Sequence, residues 1–462
     1  MNDKNKKNAD GTIRSLSNRH VQMIAIGGTI GTGLFLGSGS TISKTGPSVL
    51  LVYLVTGCLF FLMMRGIGEM FYSDPSQHTF VAFITKYIGH TAGYFTGWSY
   101  WIGLLFASMA ELSAIATYVN FWFPHIPAWL IEVVFLAVLA TLNIIAVKVF
   151  GEAEFWFAMI KVIAIVALIV TGIFMAFFHA TTPVGHASFG NIFDHFTMFP
   201  HGFFNFFAAF PMVFFAFQGI EFVSITLGES KDPKTVVKKA VNETLWRILI
   251  FYIGALSVIM VVIPWTKLSP TNSPFVQVFS IAGLPAAAAV INFVVLTSAA
   301  SSLNSIIFSA GRHLYQLAKD THTDGFIHKN LTHVSKNGIP IASIGLTAAL
   351  ILINPILTVT HSVSFMFTLV AGATSDMCII VYLFTMFAHR KYRKSSDFLD
   401  HGFKMPAYQF TSPLTILFFV FIFVSLFFIP GDEVGAISAV IWTVAFYAGI
   451  GIKRLIPVLM HN

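Results

Sequence analysis

The residues predict an all-α membrane protein, and three observations carry that reading: the apolar content, the recurrence of long apolar stretches, and the segregation of basic residues into alternate loops. Of the 462 residues, 56% are hydrophobic and 10% charged, and 50 are phenylalanine. A soluble domain carries about a quarter of its residues as charges, so this balance requires lipid as solvent. Apolar stretches of about twenty residues cross a hydrocarbon core as helices, and twelve can be drawn, over 21–42, 47–72, 93–121, 127–148, 154–178, 203–228, 244–264, 286–310, 339–357, 362–388, 413–430 and 434–452. The first is interrupted by glycines and followed by eleven more, which argues against a cleaved leader. The chain therefore divides into a tail over 1–20, one membrane domain over 21–452 and a tail over 453–462.

Charge sets the orientation. Lys4, Lys6, Lys7, Arg14 and Arg19 precede the first span, and Lys231, Lys234, Lys238 and Lys239 follow the sixth. Arg312, Lys319, Lys329 and Lys336 follow the eighth, Arg390, Lys391, Arg393, Lys394 and Lys404 the tenth, and Lys453 and Arg454 the last. The opposite loops hold Lys44 and Lys267. The positive-inside rule then places both termini in the cytoplasm and explains the net charge of +7 without nucleic acid. Cys58 and Cys378 fall inside predicted helices as packing residues, and the 16 histidines lack the paired spacing of a metal site. No metal and no cofactor are expected.

Two spans are written as poor continuous helices. Gly27-Gly28-Thr29-Ile30-Gly31-Thr32-Gly33 places four glycines in seven residues of the first, and glycine weakens a helix interior. The run follows no strand and lacks the Gly-Lys-Ser/Thr ending of a nucleotide loop. Close helix packing through small residues is the simpler alternative. Five spans later, Phe214-Phe215-Ala216-Phe217-Gln218-Gly219-Ile220-Glu221 again combines glycine with polar groups at membrane depth. Interruptions at matching places in two halves point to a binding site in inverted-repeat transporters. Freed amides receive a carboxylate there and freed carbonyls an ammonium, which suits a zwitterion.

With these pieces the chain resembles the amino acid transporter family of the amino acid, polyamine and organocation superfamily of permeases. The resemblance also runs through Thr45-Gly46-Pro47, Gly68-Glu69 and Pro75, Gly151-Glu152 with Glu154 to Lys161, Gly228-Glu229 with Lys231-Asp232-Pro233, and Thr297 to Ser305. Within the family it is similar to the D-serine, D-alanine and glycine transporters, notably from Leu284 to Ser302. The resemblance implies a leucine-transporter-like fold: two inverted five-helix repeats with helices 1 and 6 broken, plus two peripheral helices. It implies import of small neutral amino acids with a proton as coupling ion, across a bacterial plasma membrane. Permeases for γ-aminobutyrate, aromatic or basic amino acids share most of these motifs and stay open as alternatives, as does a non-transporting sensor. Carried onto matching positions, Gly31, Thr32 and Gly33 belong to the stretch that holds the substrate carboxylate and Thr29 turns a carbonyl toward the amine. Phe215 closes over the substrate, Ala216 and Gln218 present carbonyls, and Tyr100 is a substrate-side aromatic; Gln218 is larger than the usual family choice. No oligomeric state is read from the sequence.

Charged residues at membrane depth are costly and mark function. Lys161 lies about eight residues into the fifth span, at a cost of about 2.5–3.5 kcal/mol if central. Snorkelling to the interface is the alternative. By resemblance it replaces the sodium of sodium-driven relatives and touches the first helix, which implies coupling to protons. Glu221 and Glu111 are the further coupling candidates, as brace or proton carrier. Asp376 in the tenth span is expected to have a buried partner. The intramembrane acids do not pair as a catalytic site would, which argues against an enzyme.

Overall fold

The computed structural model describes residues 26–77, 79–145, 147–194, 196–227, 233–239, 241–242, 245–320, 326–335, 338–429 and 433–460. The expected tail over 1–20, and Gly228, Glu229, Lys231 and Asp232 of the motifs, lie outside the described residues. The described chain is nearly all helix; its one sheet pairs Thr181–Thr182 with Gly185–His186. Among the described residues, nine helical stretches are long and apolar enough to cross a membrane, against the twelve drawn from hydropathy. The difference has physical reasons. The first span is interrupted, the seventh and twelfth appear as shorter apolar helices over Trp246–Val262 and Glu433–Gly449, and the first span's outer part runs almost without pause into the second, so that Gly37–Ser73 counts as one stretch. The eighth helix overshoots its expected end at 310 and runs from Pro285 to Asp320, because Arg312, Gln316 and Lys319 are polar but favourable to helix.

The third span, His90–Asn120, is the most enclosed of the long single helices, with 78% of its apolar window buried. It packs against the Pro285–Asp320 and Val363–Tyr392 helices. Side chains bond from this span to its neighbours: Asn292 Nδ2 of the Pro285–Asp320 helix donates to the Tyr118 carbonyl at 2.8 Å, and with the Ile341–Thr358 stretch Trp101 Nε1 donates to Thr347 Oγ1 at 3.3 Å and Asn354 Nδ2 to Ser113 Oγ at 3.0 Å. Such bonds between membrane helices contribute about 0.6 kcal/mol each on average. The Tyr408–Leu426 helix is its opposite, presenting Phe410, Leu414, Leu417, Phe421 and Val424 outward at helical spacing. That stripe is a lipid-facing surface. Cys378 is buried against Gly103, whereas Cys58 is exposed, so only one of the two cysteines packs inside. Asp376 faces the last helix at Gly435, where a side chain would collide with its carboxylate.

At the basic end of the helices a strap over residues 393–407 is pinned to the second span. The fully buried Glu69 carboxylate accepts from His389 Nε2 at 3.0 Å, Arg393 Nη2 at 2.8 Å and the Met405 amide at 2.8 Å, with Arg393 Nε 2.7 Å from its other oxygen. Arg65 donates to the Lys404 carbonyl and lies 3.9 Å over the Phe403 ring. Lys86 joins Asp74 at 3.1 Å to Asp397 at 2.9 Å, tying the short Val81–Tyr87 helix to the strap. Partial burial alone would raise the Asp74 pKa; bonds from Ser76, Gln77 and Lys86, with the Lys86 charge, outweigh it and bring it down to about 2. Bonds from Lys86 and Tyr87 likewise lower Asp397. A depressed carboxylate stabilises above its unfolded pKa of about 3.9 and loses that contribution as pH falls through the folded value. The partly buried Lys86–Asp74 pair contributes at most about 1 kcal/mol. Lys86→Ala is therefore expected to speed amide hydrogen exchange over residues 81–87 about fivefold at neutral pH. Labelling at successively lower pH checks the sign: the gap from wild type narrows below about pH 4.

Candidate functional site

The first span is helical over residues 26–29, bends at Ile30 and Gly31, and resumes at Thr32–Phe35. Gly31 is extended (φ −126°, ψ −154°), which takes neighbouring backbone groups out of the helical ladder. In lipid each such group needs a partner, and side chains from other helices supply them. Lys161 Nζ donates to the Gly27 carbonyl at 2.5 Å, the Tyr252 hydroxyl to Thr29 at 3.0 Å, and Ser298 Oγ to Ile30 at 3.1 Å. The Thr32 amide points at Glu111 Oε1, 3.4 Å away, which also accepts from Ser302 Oγ at 2.9 Å.

The sixth span behaves in the same way. Its Phe210–Phe217 helix stops at Gln218, which is extended (φ −64°, ψ 154°), and helix resumes at Phe222. Gly219 has φ +92°, a conformation open to glycine at little cost. Its amide donates to Glu221 Oε2 at 3.0 Å, and Glu221 Oε1 accepts from the Tyr100 hydroxyl at 3.0 Å. The Ala216 carbonyl lies 2.7 Å from the Tyr252 hydroxyl. Tyr252 is thus shared between the two interrupted segments, donating its one proton to either carbonyl.

The segments touch backbone to backbone. A Cβ on Gly33 would lie 2.5 Å from Ala216 Cα, and one on Gly219 would lie 2.5 Å from the Gly28 carbonyl oxygen. One on Gly31 would lie 2.6 Å from Glu111 Oε1. The glycines therefore do both things the sequence leaves open: they bring helices close, and they stand where regular helix stops.

Every expected site residue falls in this region, and all are buried or nearly so. Thr29, Gly31, Thr32 and Gly33 form the bend and the turn after it; Ala216 and Gln218 flank the sixth-span interruption; Phe215 packs edge-on against Phe367 at 6.3 Å. Tyr100 goes to Glu221, and its ring also meets His313 at 5.1 Å. His313 in turn lines a cavity of about 430 Å³ at the basic end, shared with Lys86, His90 and Lys319. Lys161 is wholly buried and bonded to the first span; it does not snorkel. Among the described residues Thr32 Oγ1, Glu111 Oε2 and both amide atoms of Gln218 have no hydrogen-bond partner. Sequence reasoning missed Tyr252, Ser298 and Ser302. A tyrosine amid apolar residues of the seventh span carries no signal by itself, whereas Ser298 and Ser302 are an i, i+4 pair on one helix face.

These contacts set two expectations. Gly33→Ala forces backbone against backbone and should destabilise the protein by about 3 kcal/mol, the upper range for overpacking. Tyr252→Phe keeps the ring and removes the shared donor, at about 1–1.5 kcal/mol. Thermal unfolding of the purified variants checks both, the glycine variant melting first.

The comparisons with known proteins agree with one another. The family model described as amino acid permease matches residues 20–456. The chain is 48% identical over 441 residues to the serine permease SerP1 of Lactococcus lactis subsp. cremoris, covering 94% of this chain and 96% of that protein. It is 46% identical over 433 residues to the DL-alanine permease SerP2 of the same organism, covering 94% of each. It is 42% identical over 448 residues to the D-serine/D-alanine/glycine transporter of Escherichia coli, covering 96% of this chain and 94% of that protein.

Proposed function

This chain belongs to the amino acid permease family, and on that premise we propose that it is a secondary active symporter importing small neutral amino acids, such as serine, alanine and glycine, together with protons. The observation that carries the reading is the pair of interrupted segments, whose freed amides and carbonyls meet inside an apolar helical bundle. They offer a zwitterion what water would otherwise give it. In this reading the segments are helices 1 and 6 of a twelve-helix, five-plus-five inverted repeat, and the last two helices are peripheral.

The amides of Thr32 and Gly33 take the substrate carboxylate at the start of the resumed helix, with Gly31 giving the approach. The carbonyls of Thr29, Ala216 and Gln218 face the ammonium, Phe215 covers the site, and Tyr100 closes it from the third helix. Glu111 supports a link to protons. Its carboxylate is the acceptor nearest the Thr32 amide, so substrate carboxylate and ionised Glu111 compete for one donor. Protonation of Glu111 frees the amide and binding follows. Glu221, between Tyr100 and the Gly219 amide, holds the sixth-helix turn or carries a second proton. Lys161 stands in for a coupling metal ion as a tethered cation on the Gly27 carbonyl.

The basic loops support placing both termini in the cytoplasm of a bacterial plasma membrane. The cavity beside His313 then opens inward, with Tyr100 and His313 between it and the site. Rocking of one helix group against the other alternates access to the two sides.

Proteoliposomes with an inward proton gradient should accumulate labelled alanine, serine or glycine, and a protonophore should abolish accumulation. Gradient-independent exchange would remove the coupling, and absence of flux would favour a sensor. Lys161→Ala should abolish accumulation while the protein still reaches the membrane. Glu111→Gln, a permanent mimic of the protonated acid, should retain substrate exchange and flatten its pH dependence; a pH profile like wild type would exclude Glu111 as the proton carrier.

A further inference from the structure

We infer that the Gln218 side chain selects substrates bearing a side-chain hydroxyl, pairing its amide with that group in the bound state. The inference rests on the small-amino-acid reading above and narrows it. Among side chains 213–218 and 220–221 of the sixth span, Phe215 and Gln218 keep 6% and 9% exposure and the rest 0–2%. Both residues therefore touch residual space inside the bundle, Gln218 through atoms other than its amide nitrogen and oxygen. They are three residues apart, which puts them on one side of the helix that ends between them.

The chemistry of that space follows from what is left unpaired. Gln218 Nε2 and Oε1 are both shielded from solvent and have no partner among the described residues. A primary amide holds two donors and an acceptor, and a buried one without partners is destabilising until a ligand supplies them. The α-carboxylate and α-ammonium of a substrate are matched by backbone groups of the two segments, so the substrate side chain is what remains to meet Gln218. A hydroxyl donates and accepts and fits both amide atoms. A methyl group fits neither, and a side-chain carboxylate would set an anion beside Oε1. A site built to hydrogen-bond a hydroxyl rejects the analogue lacking it far more strongly than an apolar pocket rejects a change of one methylene. Gln218 is thus a specificity residue.

The ligand series serine, alanine and 2-aminobutyrate tests this on wild-type protein in proteoliposomes, by competition against labelled substrate. The last replaces the hydroxyl of serine by a methyl of similar size. Serine should compete at least about tenfold better than 2-aminobutyrate, about 1.4 kcal/mol; equal competition would overturn the inference. Gln218→Met, which keeps length and removes the amide, should lower the serine-to-alanine competition ratio about tenfold, while Gln218→Asn should retain part of it. An unchanged serine-to-alanine ratio in Gln218→Met, or equal loss of both, would overturn the selector while leaving the transporter reading intact. Wild-type protein that takes up none of the three would overturn the substrate class and the inference with it.

Discussion

The contact between the two interrupted segments is the constraint from which the rest of the interior follows. Gly33 against Ala216, and Gly28 against Gly219, are approaches that no Cβ could share. Segments that cross so closely with broken ladders release backbone groups into a medium without water, where every one must be met. The third, fifth, seventh and eighth helices answer with Glu111, Lys161, Tyr252, Ser298 and Ser302. These five buried polar residues are therefore a consequence of one backbone geometry, and their positions on four different helices record where its loose ends point.

Phenylalanine supplies the complementary part. Phe60 of the second span stands among Phe214, Phe217, Tyr382 and Phe419, with ring centroids 4.9–6.2 Å apart. Such rings gain from edge-to-face geometry beyond their area. They hold the helix leading into the sixth-span interruption while the backbone beyond it is irregular. A rigid aromatic wall on one side and a polar, glycine-lined contact on the other is how one short helix serves both packing and binding.

Much of this was legible in the sequence, for reasons that differ by residue. Spans with regular apolar character, such as 93–121 and 362–388, lie within a few residues of the helices found, since length and hydropathy determine them. Gly27 to Gly33 and Gln218 to Glu221 were legible because glycine and polar groups are anomalies at membrane depth. Lys161 was conspicuous on the same ground. Tyr252 was not, because an apolar body with one hydroxyl raises no alarm until the carbonyls of Thr29 and Ala216 are seen on either side of it. Nor was the setting of Asp376 legible, since its carboxylate abuts Gly435 of the last helix in a contact that no local pattern encodes. Hydropathy counted the outer part of the first span and the second as separate, while the chain passes between them through a single turn of 3₁₀ helix at Gly46–Ser48.

The strap over 393–407 carries a consequence of a different kind. By composition it is a charged connector of the sort chosen for inserting a tag or a reporter domain. Its interior bonds to Glu69, Arg65 and Lys86 give it the tolerance of a core element: insertion at Met405 would strip a donor from a carboxylate buried in the second helix. The outward-facing stripe of Phe410, Leu414 and Leu417, a few residues further along, bonds to nothing and accepts one greasy side chain for another. For anyone re-engineering this chain, the polar connector is the part to leave alone and the apolar helix beside it is the part free to vary.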